Sequence, residues 1–405
     1  MATPPEHLDG LTHRPVPDGG DPAPAASAPR KTLRVLVIID SLALGGAERL
    51  LTGFVDAGPA AGLDVSVAVV SPSHDSRRQM LPALVERGVT PEFLGVPRLL
   101  SRRAVPQTVD AVRRSGCDVV HAHLEYAATL AAAAGRITRR PVVSTFHHVP
   151  RAGSGWRDDA REWLAVAAAS RSAHTIFVSQ YSRDSFAARY KRMPGRNWTV
   201  VRNGIDIRSF SPADHPVPGD LGIPTGTPVV LLPAAMRGLK GHEVAIDAWP
   251  DVIAEHPRAR LVFAGSGTEE ARLHRLAAAR GVSGSVVFAG FRTDVAELMR
   301  ASRLVLLPSL TEALPTVLME AAACGRPVVA SDLEGIPEVV ADGDTGILVD
   351  PTDAAAVAAA VNALLSDPGR CRDMGARARA RAERDFSLER WTADLRSLYE
   401  SVIAT

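Results

Sequence analysis

The sequence predicts an α/β protein in which two doubly wound parallel sheets face each other across a central cleft. Three observations predict it. Short, β-branched apolar runs alternate with helix-compatible segments; the series occurs twice; and a stretch rich in Pro, Asp and Gly separates the two occurrences. Such alternation builds βαβ units, whose strands are covered on both faces and read as unbroken apolar runs. In open sheets of this class, ligands bind beyond the carboxyl ends of the strands.

The elements follow in order. Residues 1–31 are rich in Pro, Ala and Gly with almost no large apolar side chains, so a disordered tail is expected. Acidic Glu6 and Asp9, without an apolar core segment, argue against a secretion signal. The first domain is expected over 32–205, with strands at 33–39, 65–70, 118–123, 142–147, 175–179 and 198–201. Residues 206–227 form the linker. The second domain, 228–385, carries strands at 229–232, 260–263, 286–288, 304–307 and 327–330. In the last segment, 386–405, Trp391, Leu395, Leu398 and Tyr399 stand at helical spacing, as in an amphipathic helix.

Composition bounds the function. A chain of 405 residues suits two domains, and a hydrophobic share of 46% is enough for a core in each. Cys117, Cys324 and Cys371 lie far apart with no Cys-x-x-Cys pair, which argues against disulfides or structural zinc and fits a reducing cytoplasm. No run of about 18 apolar residues is present, so no membrane span is expected. The net charge of +1 hides an asymmetry: residues 31–202 carry +10 and residues 203–405 carry −7. A basic half is the pattern of a surface that meets an anion, such as a lipid head group, a phosphorylated acceptor or a membrane; arginines scattered over exposed helices give the same sum. Arg98, Arg102, Arg103, Arg113 and Arg114 fall on an expected helix after Pro97, which extends the first reading to peripheral attachment at the inner membrane face. No nucleic acid partner is expected.

Chemistry concentrates in three places. Gly45-Gly46 follows the first strand and opens a helix, where backbone can approach a ligand and the helix start favours phosphate; a plain tight turn has the same sequence. Arg237 and Lys240 lie in a turn after a strand of the second domain, where a cation can neutralise a departing diphosphate, although a surface lysine would look alike. Glu312 and Glu320 stand eight apart, the first in a loop after a strand and the second inside the next helix. Around Glu320 the neighbours Val317, Leu318, Met319 and Ala321 are apolar, so its carboxylate requires partners.

Pro308 to Asp350 contains Glu312-(seven residues)-Glu320, Gly325-Arg326-Pro327, Gly335-Ile336-Pro337-Glu338 and Gly343-Asp344-Thr345-Gly346. With the Gly45-Gly46 turn, Asn203-Gly204-Ile205-Asp206 and Gly265-Ser266-Gly267, this order resembles family 4 of the retaining glycosyltransferases over roughly residues 33–400. The resemblance implies the GT-B fold, two Rossmann-like domains with the last helix crossing back to the first. It implies a nucleotide diphosphate sugar as co-substrate, a UDP-sugar by commonest usage, with no other cofactor and no metal. By motif position, His147, Lys240 and Glu312 would be catalytic. Gly45, Gly46, Arg237, Ala313, Leu314 and Glu320 would join Lys240 in holding the donor, with Glu320 on the ribose. Such enzymes are thought to react on one face of the sugar, the leaving phosphate taking the acceptor's proton. The acceptor, a glycan, lipid or small molecule, is expected at His121, His123 and Glu125. Two departures stand out: Ala235 occupies the place of a family arginine, with Arg237 two residues on, and Glu312-Ala313-Leu314-Pro315 replaces Glu-Gly-Phe-Gly. A GT-B sugar phosphorylase or a non-catalytic sugar-binding protein is the alternative. Asp342-Gly343-Asp344 resembles a metal motif of another fold and is set aside.

Overall fold

The computed structural model describes residues 31–43, 45–96, 101–150, 155–191, 195 and 197–405. The expected tail therefore lies outside the described residues, apart from Lys31. The first sheet contains β1 (Leu33–Ile39), β2 (Leu63–Val69), β3 (Glu92–Phe93), β4 (Val119–His123), β5 (Val142–Phe146), β6 (His174–Phe177) and β7 (Trp198–Val200). Between them run α1 (Gly46–Ala57), α2 (Leu81–Glu86), α3 (Ala104–Ser115), α4 (Glu125–Thr138), α5 (Trp156–Ala169) and α6 (Gln180–Arg189). The strand order is β3-β2-β1-β4-β5-β6-β7, and every pairing is parallel.

The second sheet contains β8 (Val229–Leu232), β9 (Arg260–Phe263), β10 (Val286–Phe288), β11 (Leu304–Leu307), β12 (Val328–Ser331) and β13 (Gly346–Val349). Its helices are α7 (His242–Glu255), α8 (Glu270–Ala279), α9 (Val295–Ala301), α10 (Thr316–Ala323), α11 (Ala354–Ser366) and α12 (Pro368–Asp385). The order β10-β9-β8-β11-β12-β13 is again wholly parallel. The α/β GT-B architecture expected from the sequence is what the chain forms. Two strands escaped the sequence reading, β3 at an edge of the first sheet and β13 at an edge of the second.

Strand order reverses between β1 and β4 in the first sheet and between β8 and β11 in the second. Each reversal opens a crevice beyond the strand ends. The chain crosses between the sheets twice, after β7 and before α13 (Leu388–Ile403). The crossings are stitched together, because Ile205 N–H donates to the Phe386 carbonyl at 2.8 Å and Leu388 N–H donates to the Ile205 carbonyl at 3.1 Å. From there α13 lies on the first sheet, with Leu388, Trp391, Leu395 and Tyr399 buried in one core with β1 and α1. Glu338, from the second domain, accepts from Tyr181 N–H at 3.0 Å and pairs with Arg202 at 2.8 Å, both in the first.

Among the described residues, no helix is long and apolar enough to cross a membrane. The arginines expected on one helix do not form one patch. Arg102 and Arg103 precede α3, and Arg113 and Arg114 lie in its last turn, roughly 15 Å further along the axis. Arg114 is paired with Glu92, and Arg113 lies 3.9 Å from Asp110. Arg98 lies outside the described residues.

Candidate active site

The two crevices face each other and enclose a cleft of about 570 Å³. The second domain contributes two loops. The first, after β8, carries Ala235, Arg237 and Lys240; the second, after β11, carries Glu312, Ala313, Leu314 and Pro315; all line the cleft. The loops are locked to each other. Leu310 N–H donates to the Leu239 carbonyl at 2.9 Å, and Gly241, at φ 73°, lies so close to Pro308 that a Cβ there would stand 1.9 Å from its carbonyl oxygen. At the meeting point Lys240 Nζ donates to Glu312 Oε1 at 2.5 Å, with the carboxylate largely shielded. The Gly265-Ser266-Gly267 loop braces this arrangement from outside, the Ser266 carbonyl accepting from Met236 N–H at 3.1 Å.

A neighbouring cavity of about 240 Å³ shares Gly46, Leu50 and Thr316 with the cleft. Glu320 lines it. Thr316 and Glu320, four apart on α10, share the helical face that looks into this cavity, and Arg49 of α1 lines it from the first domain. Burial drives the Glu320 carboxyl up to about 7, against the pull of Arg49. The second-domain part of the sequence-derived set thus comes together in two adjoining compartments.

On the first-domain side the cleft is walled by Gly46, Ala47, Glu48, Leu50, Leu124, His147, His148 and Asn203. Glu48 belongs to the site and was missed. Its carboxylate folds back over the start of α1, and a Cβ on Gly45 would lie 2.4 Å from its Oε2. The chain's own carboxylate therefore covers part of the helix start that the Gly45-Gly46 turn was expected to offer to phosphate.

Three histidines cluster behind the first-domain wall of the cleft. His147 Nε2 is hydrogen-bonded to His123 Nδ1 at 2.8 Å with the rings stacked, whereas its Nδ1 is buried without a partner in a residue that lines the cleft. The His121 ring lies tilted against that of His123, and both its nitrogens are taken, by Thr145 Oγ1 at 2.7 Å and by the Tyr399 hydroxyl of α13 at 2.6 Å. Burial lowers His121 and His147 to about 3 and lowers His123 as well, so all three are neutral at physiological pH. The structure corrects the expectation that His121, His123 and Glu125 meet an acceptor. His121 is 1% exposed and fully bonded; His123 is buried behind His147; Glu125 is buried and accepts from Arg161 Nε at 2.8 Å. Strands buried on both faces put alternate residues into the core on either side, so a histidine near a strand end need not reach the crevice.

Glu125, His148 and Glu162 place one ligand atom each within 4.8 Å of one another, the spacing of a metal site. Their protein partners account for them: Arg161 holds Glu125, and the Tyr190 hydroxyl donates to Glu162 at 2.5 Å. Glu125 and Glu162, 3.6 and 3.4 Å from His148 Nε2, hold that ring at the cleft wall. Asp342 and Asp344, set aside as a metal motif, accept from Leu348 N–H at 2.9 Å and pair with Arg377 at 2.6 Å.

Two further residues left no signal in the sequence reading. Asp40, at the end of β1, accepts N–H bonds from Ala127 at 2.7 Å and Tyr126 at 3.3 Å, anchoring the first turn of α4 behind the cleft wall; burial raises its carboxyl to about 7. Glu334 sits at φ 53°, a left-handed backbone that costs a residue with a Cβ about 1 kcal/mol or more. Its Oε2 accepts from Glu312 N–H at 2.5 Å and from Thr311 Oγ1 at 2.8 Å.

The family described as "Glycosyl transferases group 1" matches residues 217–381, and "Glycosyltransferase Family 4" matches residues 44–209. The chain is 30% identical over 344 residues to the D-inositol 3-phosphate glycosyltransferase of Acidothermus cellulolyticus, covering 76% of this chain and 75% of that one. It is 32% identical over 322 residues to the alpha-maltose-1-phosphate synthase of Mycolicibacterium smegmatis, covering 71% and 79%. The crystal structure of Anabaena HepE in complex with UDP superposes with a TM-score of 0.78 at 25% identity, covering 91% of this chain and all of that one. HepE has also been solved with UDP-glucose, at a TM-score of 0.77. With the matched families tiling both domains and the cleft assembled from their facing loops, the chain belongs to the group 1 glycosyltransferases of the GT-B fold.

Proposed function

We propose that the chain is a retaining, metal-independent hexosyltransferase that takes its sugar from a UDP-sugar and passes it to a hydroxyl acceptor. The observation that carries this reading is the Lys240–Glu312 pair beside Arg237 at the centre of the cleft, faced by His147 and Gly46. A cation pair stands where a diphosphate would depart, with a carboxylate next to it for the sugar hydroxyls. Glu320 lines the adjoining compartment, and this reading assigns it to the ribose. HepE, similar in fold over the whole cleft, has been solved with UDP and with UDP-glucose.

In this reading the bond from the anomeric carbon to the diphosphate breaks as the acceptor oxygen bonds to the same face. The acceptor's proton passes to the departing phosphate oxygen. Lys240, Arg237 and the start of α10, where Thr316 and Val317 line the cleft, stabilise the negative charge that accumulates on the diphosphate. Arg237 serves in place of the cation missing at Ala235. His147, which lines the cleft, contacts the sugar or acceptor in this reading. No side-chain base is required, so positioning and electrostatics carry the rate enhancement.

Calorimetric titration of UDP, GDP, ADP and dTDP into wild type and Glu320→Ala tests the donor assignment. UDP alone should bind tightly, with affinity falling about tenfold in the variant. The anomeric configuration of the product, read by NMR, tests retention, and activity in excess EDTA tests independence from metal. An inverted product or complete inhibition by EDTA would each remove the corresponding claim.

A further inference from the structure

We propose that Glu334 is a positioning residue that sets the backbone of Glu312 for reaction. The inference rests on the reading that Glu312 meets the transferred sugar. Three residues other than glycine have positive φ among those described: Leu124, Arg139 and Glu334. Arg139 caps the end of α4, where a left-handed residue is ordinary. Glu334 has no such duty.

Its conformation follows from what it holds. The Glu334 carboxylate takes the N–H of Glu312 and the hydroxyl of Thr311, and the next residue, Gly335, donates its own N–H to the Glu312 carbonyl at 3.2 Å. Both backbone groups of Glu312 are thus gripped by two consecutive residues. Gly335 must lie flat against the loop, since a Cβ there would stand 1.7 Å from the Ala313 carbonyl oxygen. With the Gly335 backbone pinned in this way, Glu334 reaches the Glu312 N–H from a left-handed turn. A charged acceptor makes the stronger hydrogen bond and so offsets the unfavourable backbone. Glu312 is then fixed from two directions, by Glu334 and Gly335 through its backbone and by Lys240 through its carboxylate. Strain held at a point that orients a reacting group is a recurrent feature of active sites, where an error of about 1 Å can cost 100-fold in rate.

The test separates positioning from ordinary structural support, because glycine tolerates the left-handed backbone. Glu334→Gly removes the carboxylate and the strain together, and Glu334→Gln keeps an oxygen that can accept both bonds. The readouts are acceptor-free release of UDP from UDP-glucose, calorimetric affinity for UDP, and melting temperature. For Glu334→Gly the melting temperature should equal or exceed that of wild type while kcat/KM for UDP release falls at least tenfold, with the Kd for UDP within twofold. Glu334→Gln should recover most of the activity. If Glu334→Gly keeps kcat/KM within twofold, or loses UDP affinity and melting temperature in parallel with activity, the assignment is wrong. Wild type that neither binds UDP nor releases it from UDP-glucose would overturn the sugar-transfer reading itself, and the assignment with it.

Discussion

Replacing Glu320 by glutamine converts a carboxyl held up at about 7 into a neutral amide of the same shape. The ordinary value is 4.5, so the folded chain binds this proton about 2.5 pH units more tightly than the unfolded chain. At 1.36 kcal/mol per unit the full linkage is about 3 kcal/mol, and access of water through the adjoining cavity reduces it to about 2. The sign is fixed by which state releases the proton first. Below pH 4.5 both states carry it and wild type suffers no penalty. Between 4.5 and 7 the unfolded chain ionises while the folded one does not, and wild type loses stability; above 7 the loss is complete. Glutamine does not titrate. Glu320→Gln should therefore gain on wild type by about 2 kcal/mol between pH 4.5 and pH 8.5, which is about 2–3 °C in melting temperature for a chain of this size. Differential scanning calorimetry at the two pH values reads this directly. Saturating UDP at pH 8.5 should narrow the gap, because ribose hydroxyls would satisfy the ionised carboxylate. A difference between variant and wild type that stays the same at both pH values would refute the reasoning.

Lys240→Ala strips Glu312 of its partner and the cleft of a cation, and should weaken UDP-glucose binding about 10- to 100-fold in calorimetry. An unchanged affinity would place Lys240 outside the donor site. Arg237→Ala should weaken UDP far more than uridine, since the deleted charge faces the diphosphate; equal losses would count against its role in place of Ala235. Tyr399→Phe leaves a buried His121 nitrogen unbonded and should cost about 1–3 kcal/mol in urea unfolding, whereas no change would show that the α13 contact is idle. His121, His123 and His147 are buried and held neutral, so their carbon-bound ring protons should show no titration by NMR between pH 5 and 8. A midpoint near 6.5 in any of them would contradict their burial.

The parallel sheets were legible because strands covered on both faces are written as short apolar runs, and 33–39, 229–232, 260–263, 286–288 and 304–307 coincide with observed strands. The edge strands were not. Glu92–Phe93 is too short to make a pattern, and Gly346–Val349 begins with a glycine and reads as a turn motif. The same property that reveals buried strands misled the reading of His121 and His123. A polar residue within such a strand signals either a crevice or an internal bond, and only the distant partners Tyr399 and Thr145 decide between them. Within the site, Arg237 was singled out only as a cation near the place that Ala235 fills, whereas Lys240, Glu312 and Glu320 carried the signal of family spacing. Glu48, Asp40 and Glu334 did not, because each acts through backbone groups whose whereabouts spacing does not encode. Glu334 stands directly before the Gly335-Ile336-Pro337-Glu338 motif, and nothing in its residue type announces a left-handed turn.

The return of α13 to the first sheet has a consequence for biosynthesis. Leu388 follows Val200, the end of β7, by 188 residues, yet it closes the same core as β1 and α1. A ribosome making the chain exposes the seven strands of the first sheet long before it delivers the helix that covers them. The second sheet and its helices, made in between, can finish on schedule. The domain made first is thus completed last, and it must pass through synthesis with the apolar faces of Val35, Val37, Leu51 and Phe54 awaiting Trp391 and Leu395.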